Sequence, residues 1–94
     1  MVTLNLSIMD KRILEQRKAI DEIDEKIISL LKKRMDVSKK VGELKTELQI
    51  PIEDTSREND IIERLSELAE GNLSEEQLIH IFTAVFGSSK QIQK

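Results

Sequence analysis

The chain has no cysteine, tryptophan or tyrosine, and its 94 residues include only one proline, three glycines and two phenylalanines. Without cysteine it has neither a disulfide framework nor a thiolate metal site. A β-sheet protein would need more β-branched and aromatic residues in its strands and more glycine and proline in its turns. These absences predict an all-α chain, and its length predicts a single domain over residues 1–94.

Two further absences limit the partners that the chain can have. With 18 acidic and 15 basic side chains, the formal net charge is −3, whereas a general nucleic-acid binder has a net basic domain. No apolar run approaches the roughly 18 residues of a membrane span, and the opening residues lack a basic segment followed by an apolar core. We therefore expect a cytoplasmic protein that binds neither nucleic acid nor a membrane.

A long amphipathic helix is predicted from about Asp10 to Leu48, with Ser7 or Asp10 as its cap. The segment has no proline and one glycine, and its apolar residues recur at steps of three and four. Pro51 then interrupts the helix, because proline lacks the backbone N–H that a helix needs. The apolar positions are Ile13, Ile20, Ile27, Leu31, Val41 and Leu48.

Two shorter helices follow. Thr55–Glu58 and Ser74–Gln77 both fit the capping-box pattern Ser/Thr-x-x-Glu/Gln, which predicts the starts of a second and a third helix. The second helix extends through about Ala69, and Gly71 supplies a left-handed stop after it. One apolar face is predicted on the third helix: Leu78, Ile81, Phe82 and Val85.

The length of the first helix predicts a second copy of the chain. About 38 residues with a rise of about 1.5 Å each span roughly 57 Å. A compact domain of this size has a radius of gyration of about 12 Å, hence a diameter near 32 Å. Because the apolar stripe continues along the excess length, that surface must be covered, and we expect an intertwined homodimer of three-helix subunits.

Polar residues interrupt the apolar stripe of the first helix. They are Arg17, Asp24, Arg34, Ser38 and Lys45, and three of them are cationic. Arg34 and Lys45 differ by only about 20° around the helix axis and lie roughly 16 Å apart along it, so the two side chains could share a small anion. Alternatively, the cations extend to solvent, or Arg34 pairs with an acid such as Asp24 of a second chain.

The stretch EDTSREND, residues 53–60, has two interpretations. Asp54 and Glu58 suit the start of a helix, since negative charge is favourable there. In the other interpretation Arg57 joins the anion cluster, and the two acids accept hydrogen bonds from substrate hydroxyl groups. A calcium loop fits poorly, because Asn59 stands where the glycine of the sharp turn belongs.

The remaining candidates are few. Ser89 and Gln93 form an i, i+4 polar pair on one face near the end of the third helix. The pair is either a solvated helix end or part of a site. His80 has no second histidine and no cysteine near it, so we expect no metal site. No Ser/His/Asp constellation and no phosphate loop occurs. We therefore expect neither a metal site nor an activated nucleophile.

Taken together, these segments resemble the AroQ-type, all-helical chorismate mutases over nearly the whole chain. The residues that carry the resemblance are LEQRKAIDEIDEKIISLLKKR and VGELK in the first helix, DTSREND at the second and SKQIQ in the third. The resemblance implies an isomerase that converts chorismate to prephenate in phenylalanine and tyrosine biosynthesis. It also implies a homodimer in which each active site is enclosed by one subunit and completed by an arginine of the other.

Carried over by position, the resemblance implies a role for each cation of the first helix. Arg17 is the arginine supplied across the interface, and it holds the two substrate carboxylates together with Arg34. Lys45 donates to the ether oxygen and to a carboxylate, and Gln93 is the other donor to the ether oxygen. These roles suit a unimolecular rearrangement, which needs no nucleophile, metal or cofactor. The enzyme selects a reactive conformer and stabilises negative charge that grows on the ether oxygen.

The resemblance also assigns the second and third helices to the substrate. Asp54 and Glu58 lie at the ring hydroxyl, and Arg57 and Ser89 complete the carboxylate end. Two alternatives remain open: an isochorismate-pyruvate lyase of the same fold, and a non-catalytic helical dimerisation module. The lyase shares similar cations, whereas the module needs neither the cations nor an anionic ligand.

Overall fold

The computed structural model describes residues 10–94, which form three α-helices in the order α1 (Lys11–Leu48), α2 (Thr55–Ala69) and α3 (Glu75–Gln93). The helices contain 38, 15 and 19 residues, and no strand occurs in this part of the chain. The predicted all-α class and the long, short and medium helices are confirmed. Over the same residues, no helix is long and apolar enough to cross a membrane.

Both ends of α1 are fixed by hydrogen bonds. Asp10 caps its start, since Oδ1 accepts a hydrogen bond from the backbone N–H of Arg12 at 2.8 Å; the alternative cap, Ser7, lies outside the described residues. At the other end Gln49 adopts a left-handed conformation with φ 58°. The Ile50 N–H then donates to the Lys45 carbonyl at 2.8 Å. This is a Schellman ending, with glutamine in the position that glycine usually occupies.

The start of α2 differs from the prediction. The Thr55–Glu58 capping box is wrong, because the cap residue is Asp54 and Thr55 is the first helical residue. Asp54 Oδ1 accepts the Arg57 N–H at 3.0 Å, and its charge also suits the positive end of the helix dipole. After α2, Glu70 (φ 50°) and Gly71 (φ 82°) both adopt the left-handed conformation, as the predicted stop requires.

The start of α3 is as predicted. The Ser74 N–H donates to Gln77 Oε1 at 2.8 Å, and the Gln77 N–H donates to Ser74 Oγ at 3.1 Å. The two bonds form a complete capping box. The segment between α2 and α3 is therefore short and ends at a defined residue.

Residues 34–94 form a compact unit in which α2 packs on α3. Its buried apolar side chains are Ile61, Leu78 and Phe86. Of the predicted apolar face of α3, Ile81 is exposed in the single chain, and Phe86, which the prediction omitted, is buried. The Phe86 ring packs against Phe82, with the ring centroids 5.8 Å apart, so the buried face of α3 is rotated toward Phe86.

The other unit ends at Lys33, and its described residues belong to the first part of α1. The side chains of residues 11–30 are all exposed. Seven large apolar side chains there are between 37% and 63% exposed: Ile13, Leu14, Ile20, Ile23, Ile27, Ile28 and Leu30. Tertiary packing supplies most of the stability of a helix in a protein, and these exposed side chains receive little of it in the single chain.

The capping box predicts the effect of a single hydroxyl on stability. Ser74→Ala should lower the free energy of unfolding by about 1 kcal/mol, because it leaves the Gln77 N–H without its acceptor. Ser88→Ala is the matched control, since Ser88 is exposed within α3 and alanine is the better helix former. Urea denaturation at one fixed protein concentration measures both changes. Equal effects of the two substitutions would contradict the role of the capping box.

Candidate active site

A pocket of about 470 Å³ lies within residues 34–94 and is lined by all three helices and by the segment between α1 and α2. Its wall includes apolar side chains such as Val41, Ile61 and Phe86. Four cationic side chains line it, Arg34, Lys45, Arg57 and Lys90, against two carboxylates, Asp54 and Glu58. The polar lining is completed by Ser38, Ser89 and Gln93.

Helical spacing brings the α1 residues to one wall of the pocket. Arg34, Ser38, Val41 and Lys45 follow one another at steps of four, three and four, so they lie on one face of the helix. The face that sequence periodicity predicted to point inward therefore lines a pocket at its Arg34 and Lys45 positions. Ser38 is buried beside them.

Arg34 is held by two residues of α3. Its Nη1 donates to Ser89 Oγ at 2.6 Å, and its guanidinium carbon lies 5.8 Å from the centroid of the Phe86 ring, a distance at which a cation and a ring attract. Burial, and next the charge of Arg57, lower the pKa of Arg34 from its usual value. Arginine nevertheless remains charged at neutral pH, so two cations lie near each other in the same pocket.

Lys45 joins α1 to the ends of the two neighbouring segments. Its Nζ donates to the Ile52 carbonyl at 2.9 Å and to Gln93 Oε1 at 3.1 Å. An ammonium group has three N–H donors, so one remains for a ligand. Gln93 accepts through its oxygen in this arrangement, which leaves its amide N–H groups as donors.

The acidic side of the pocket lies at the start of α2. Asp54 is both a pocket residue and the helix cap, so the two interpretations of EDTSREND are compatible. Glu58 Oε2 lies 3.3 Å from Lys90 Nζ, and Glu53 Oε1 lies 3.2 Å from the same nitrogen. Hydrogen bonds with Glu53 and then Glu58 raise the pKa of Lys90.

The cations differ in how they are paired. Lys90 has two carboxylate partners, whereas Arg34, Lys45 and Arg57 form no salt bridge within residues 10–94. A cation that serves only the fold is normally paired when it leaves water. Arg34 and Lys45 are half-buried without such a partner, and Arg57 is exposed near Arg34, so the pocket is suited to a ligand with more than one negative charge.

Seven of the eight predicted site residues line this pocket, and the eighth, Arg17, does not. Arg17 belongs to the unit that ends at Lys33, where its side chain is exposed. His80, for which no metal role was predicted, is also outside this pocket. In residues 10–94, no group of three or more histidine, cysteine or acidic residues is arranged to hold a metal ion.

Sequence reasoning missed Phe86 and Lys90 as pocket residues. Both could have been found from helical spacing, since Phe86 lies three residues before Ser89 and Lys90 lies three before Gln93. The carbonyl of Ile52 gave no signal, because a backbone acceptor is independent of residue type.

Comparisons with known proteins identify the chains to which this one is similar. The family model for chorismate mutase type II matches residues 16–94. A chorismate mutase of Methanocaldococcus jannaschii is 41% identical over 87 residues, which cover 92% of this chain and 88% of that protein. A bifunctional chorismate mutase/prephenate dehydratase of Aquifex aeolicus is 34% identical over 84 residues, which cover 85% of this chain and 23% of that longer protein.

A solved structure supports the fold in the same way. A conserved hypothetical protein from Pyrococcus furiosus superposes with a TM-score of 0.73 at 38% identity, over 90% of this chain and 99% of that one. The family match covers more than half of the chain, and the Methanocaldococcus jannaschii protein is 41% identical over 88% of its own length. The resemblance seen in the sequence is thereby confirmed, and the chain belongs to the chorismate mutase type II family.

Proposed function

We propose that this protein is a chorismate mutase, an isomerase that converts chorismate to prephenate, and that it acts as a homodimer. The observation that carries the proposal is a set of three cations, Arg34, Lys45 and Arg57, which form no salt bridge in the described residues and line one pocket in a chain of this family. Chorismate carries two carboxylates, an ether oxygen and a ring hydroxyl, and the pocket offers complementary groups for each. Its volume of about 470 Å³ also suits a small organic ligand.

The cations act first on the conformation of the substrate. The reaction is a unimolecular [3,3] rearrangement, in which one C–O bond breaks and one C–C bond forms without loss or gain of atoms. The reacting carbons must first approach each other in a compact conformer. Arg34 and its partners hold the two carboxylates in that geometry, so that part of the entropic cost is met on binding.

Lys45 and Gln93 act on the bond that breaks. Negative charge grows on the ether oxygen as the C–O bond lengthens, and a donor placed there stabilises the transition state more than the bound substrate. Lys45 Nζ is fixed by the Ile52 carbonyl and by Gln93 Oε1, with its third N–H available for the ether oxygen. One such preorganised donor lowers the barrier by about 3–4 kcal/mol.

The remaining residues orient the substrate. Asp54 and Glu58 accept from the ring hydroxyl, and Lys90 restrains the Glu58 carboxylate through its contact of 3.3 Å. Arg57 completes the carboxylate end. Ser89 acts there through Arg34, because its hydroxyl accepts the guanidinium N–H at 2.6 Å.

A second chain completes the site in this proposal. The apolar side chains of α1 before Lys33 are exposed in the single chain, and a partner helix is the cover that fits a stripe of helical period. Arg17 precedes Arg34 by seventeen positions, or roughly 25 Å along a helix. A single helix therefore cannot bring both arginines to one small substrate, whereas a partner chain can supply Arg17. In this dimer, residues 1–94 act as one domain.

Substitution of Lys45 tests the proposed chemistry. Purified protein should convert chorismate to prephenate, and Lys45→Ala should lower kcat at least about 100-fold with a smaller change in KM, because the lost donor acts in the transition state. Lys40→Ala is the matched control, since Lys40 is exposed on α1 and lies about 140° around the helix from Lys45. Liquid chromatography identifies the products formed from each of two substrates, chorismate and isochorismate.

Three results would count against the proposed chemistry. Pyruvate release from isochorismate without prephenate formation would identify a lyase instead. No reaction with either substrate would favour a non-catalytic module. A Lys45→Ala enzyme within about tenfold of the wild type would remove Lys45 from the mechanism, since that loss is smaller than the loss of a preorganised donor.

Mixing of two inactive variants tests the contribution of Arg17. Arg17→Ala and Arg34→Ala homodimers should both be nearly inactive, because each lacks a carboxylate contact in both sites. Random pairing on co-refolding gives heterodimers as about half of the population, each with one intact site and one doubly defective site. Activity should therefore recover to about one quarter of the wild type.

The dimer is verified in the same samples. Sedimentation at micromolar concentration should give about twice the 10.8 kDa chain mass for each variant. Heterodimers separated by a charge tag on one chain provide the control for mixing. If heterodimers form and remain as inactive as the parent variants, Arg17 does not act across the interface.

A further inference from the structure

Gly42 is the one glycine within α1, and it is buried there. Glycine inside a helix costs about 0.8–1.0 kcal/mol relative to alanine, so its presence suggests that a side chain would not fit. The cause is a close approach of α3. An added Cβ at Gly42 would lie 2.6 Å from Gln93 Cα, 2.8 Å from Gln93 Cβ and 2.9 Å from the Gln93 carbonyl oxygen.

These contacts involve atoms that cannot rotate away. Gln93 Cα and its carbonyl oxygen belong to the backbone of the last residue of α3, so the whole terminal turn would have to move. Carbon atoms pack at about 3.5–4.0 Å, which is about 1 Å farther than the 2.6 Å available. An alanine at position 42 therefore displaces the end of α3 by about 1 Å or more.

The same terminal turn carries a proposed catalytic group. Lys45 lies three residues after Gly42 on α1, and its Nζ donates to Gln93 Oε1 at 3.1 Å. The missing side chain at position 42 lets the backbone of Gln93 approach α1 closely enough for this bond. Gly42 thus sets the distance between the two proposed donors to the ether oxygen.

We propose that Gly42 is a positioning residue for the reaction, which acts by seating Gln93 against Lys45. The inference rests on the proposed function, in which Lys45 and Gln93 stabilise the ether oxygen. A misplacement of about 1 Å in an active site can cost about 100-fold in rate. The predicted defect is therefore catalytic, although alanine favours the helix itself.

Gly87 provides a matched control within the same chain. It lies inside α3 and is exposed, and an added Cβ there would meet nothing within 4 Å. Gly87→Ala therefore gains the same helix propensity as Gly42→Ala without moving Gln93. A comparison of the two substitutions separates the effect of the close approach from the effect of glycine itself.

The experiment measures kcat, KM and melting temperature for Gly42→Ala and Gly87→Ala at one protein concentration. Gly42→Ala should lower kcat about 100-fold with KM changed only a few-fold, and it should keep the wild-type mass in sedimentation. Gly87→Ala should stay within about threefold of wild-type kcat, because nothing near it is displaced. A loss of activity that follows only the unfolded fraction would show a merely structural role and overturn the inference.

A truncated chain that ends at Ile92 tests the same contact without relying on the full-length variant. The truncation removes Gln93, so adding Gly42→Ala to the truncated chain should leave the kcat of that truncated chain unchanged. If full-length Gly42→Ala does not fold, the truncated variant should fold, because the clashing backbone is absent. Additive losses of kcat, or misfolding in both backgrounds, would overturn the role of Gly42. If the wild type is active and Gly42→Ala does not lower kcat, this inference alone is refuted. If the wild type is inactive, the proposed function is refuted as well.

Discussion

Positive charge in excess of the carboxylates is the constraint on which the pocket depends, since four cationic side chains and two carboxylates line it. Arg34 and Lys45 are half-buried and Arg57 lies near them, yet none of the three has a salt-bridge partner in the described part of the chain. Lys90 shows what structural pairing looks like here, since two carboxylates lie within 3.3 Å of its nitrogen. Like charges that lie close together repel each other, and a dianionic ligand relieves that repulsion.

Three helix ends position charged and polar groups around the pocket. The last turn of α1 carries Lys45, the first turn of α2 carries Arg57 and Glu58, and the last turn of α3 carries Gln93. Each end is fixed by a cap or by a close approach, so the groups that face the pocket are preorganised. This arrangement suits a reaction that needs orientation and electrostatic stabilisation and forms no covalent intermediate with the protein.

The proposed dimer would also cover an apolar surface of α1. The residues of α1 before Lys33 expose large apolar side chains in the single chain. A partner chain would bury them and would bring an additional arginine to the pocket. Stability and catalysis would then depend on the same interface, which links the proposed fold of the dimer to its activity.

Much of the fold could be predicted because its signals are local. Helical periodicity, Pro51 and the Ser74 capping box gave the helices, and the family resemblance gave the seven pocket residues. Local rules failed where two residues compete, as when Asp54 rather than Thr55 capped α2. The burial of Phe86 in place of Ile81 depends on how α3 is rotated against its neighbours, which sequence periodicity alone does not fix. The role of Arg17 depends on a second chain and stays a prediction.

Isothermal titration calorimetry with a bicyclic dicarboxylate analogue of the transition state tests most directly whether Arg34, Lys45 and Arg57 hold an anionic ligand. The wild type should bind one analogue per chain. Arg34→Ala should weaken the affinity at least about 30-fold, because removal of one partner of a hydrogen-bonded charge pair costs about 2–5 kcal/mol. Absence of binding to the folded wild type, or an affinity unchanged by Arg34→Ala, would contradict the proposed role of these cations.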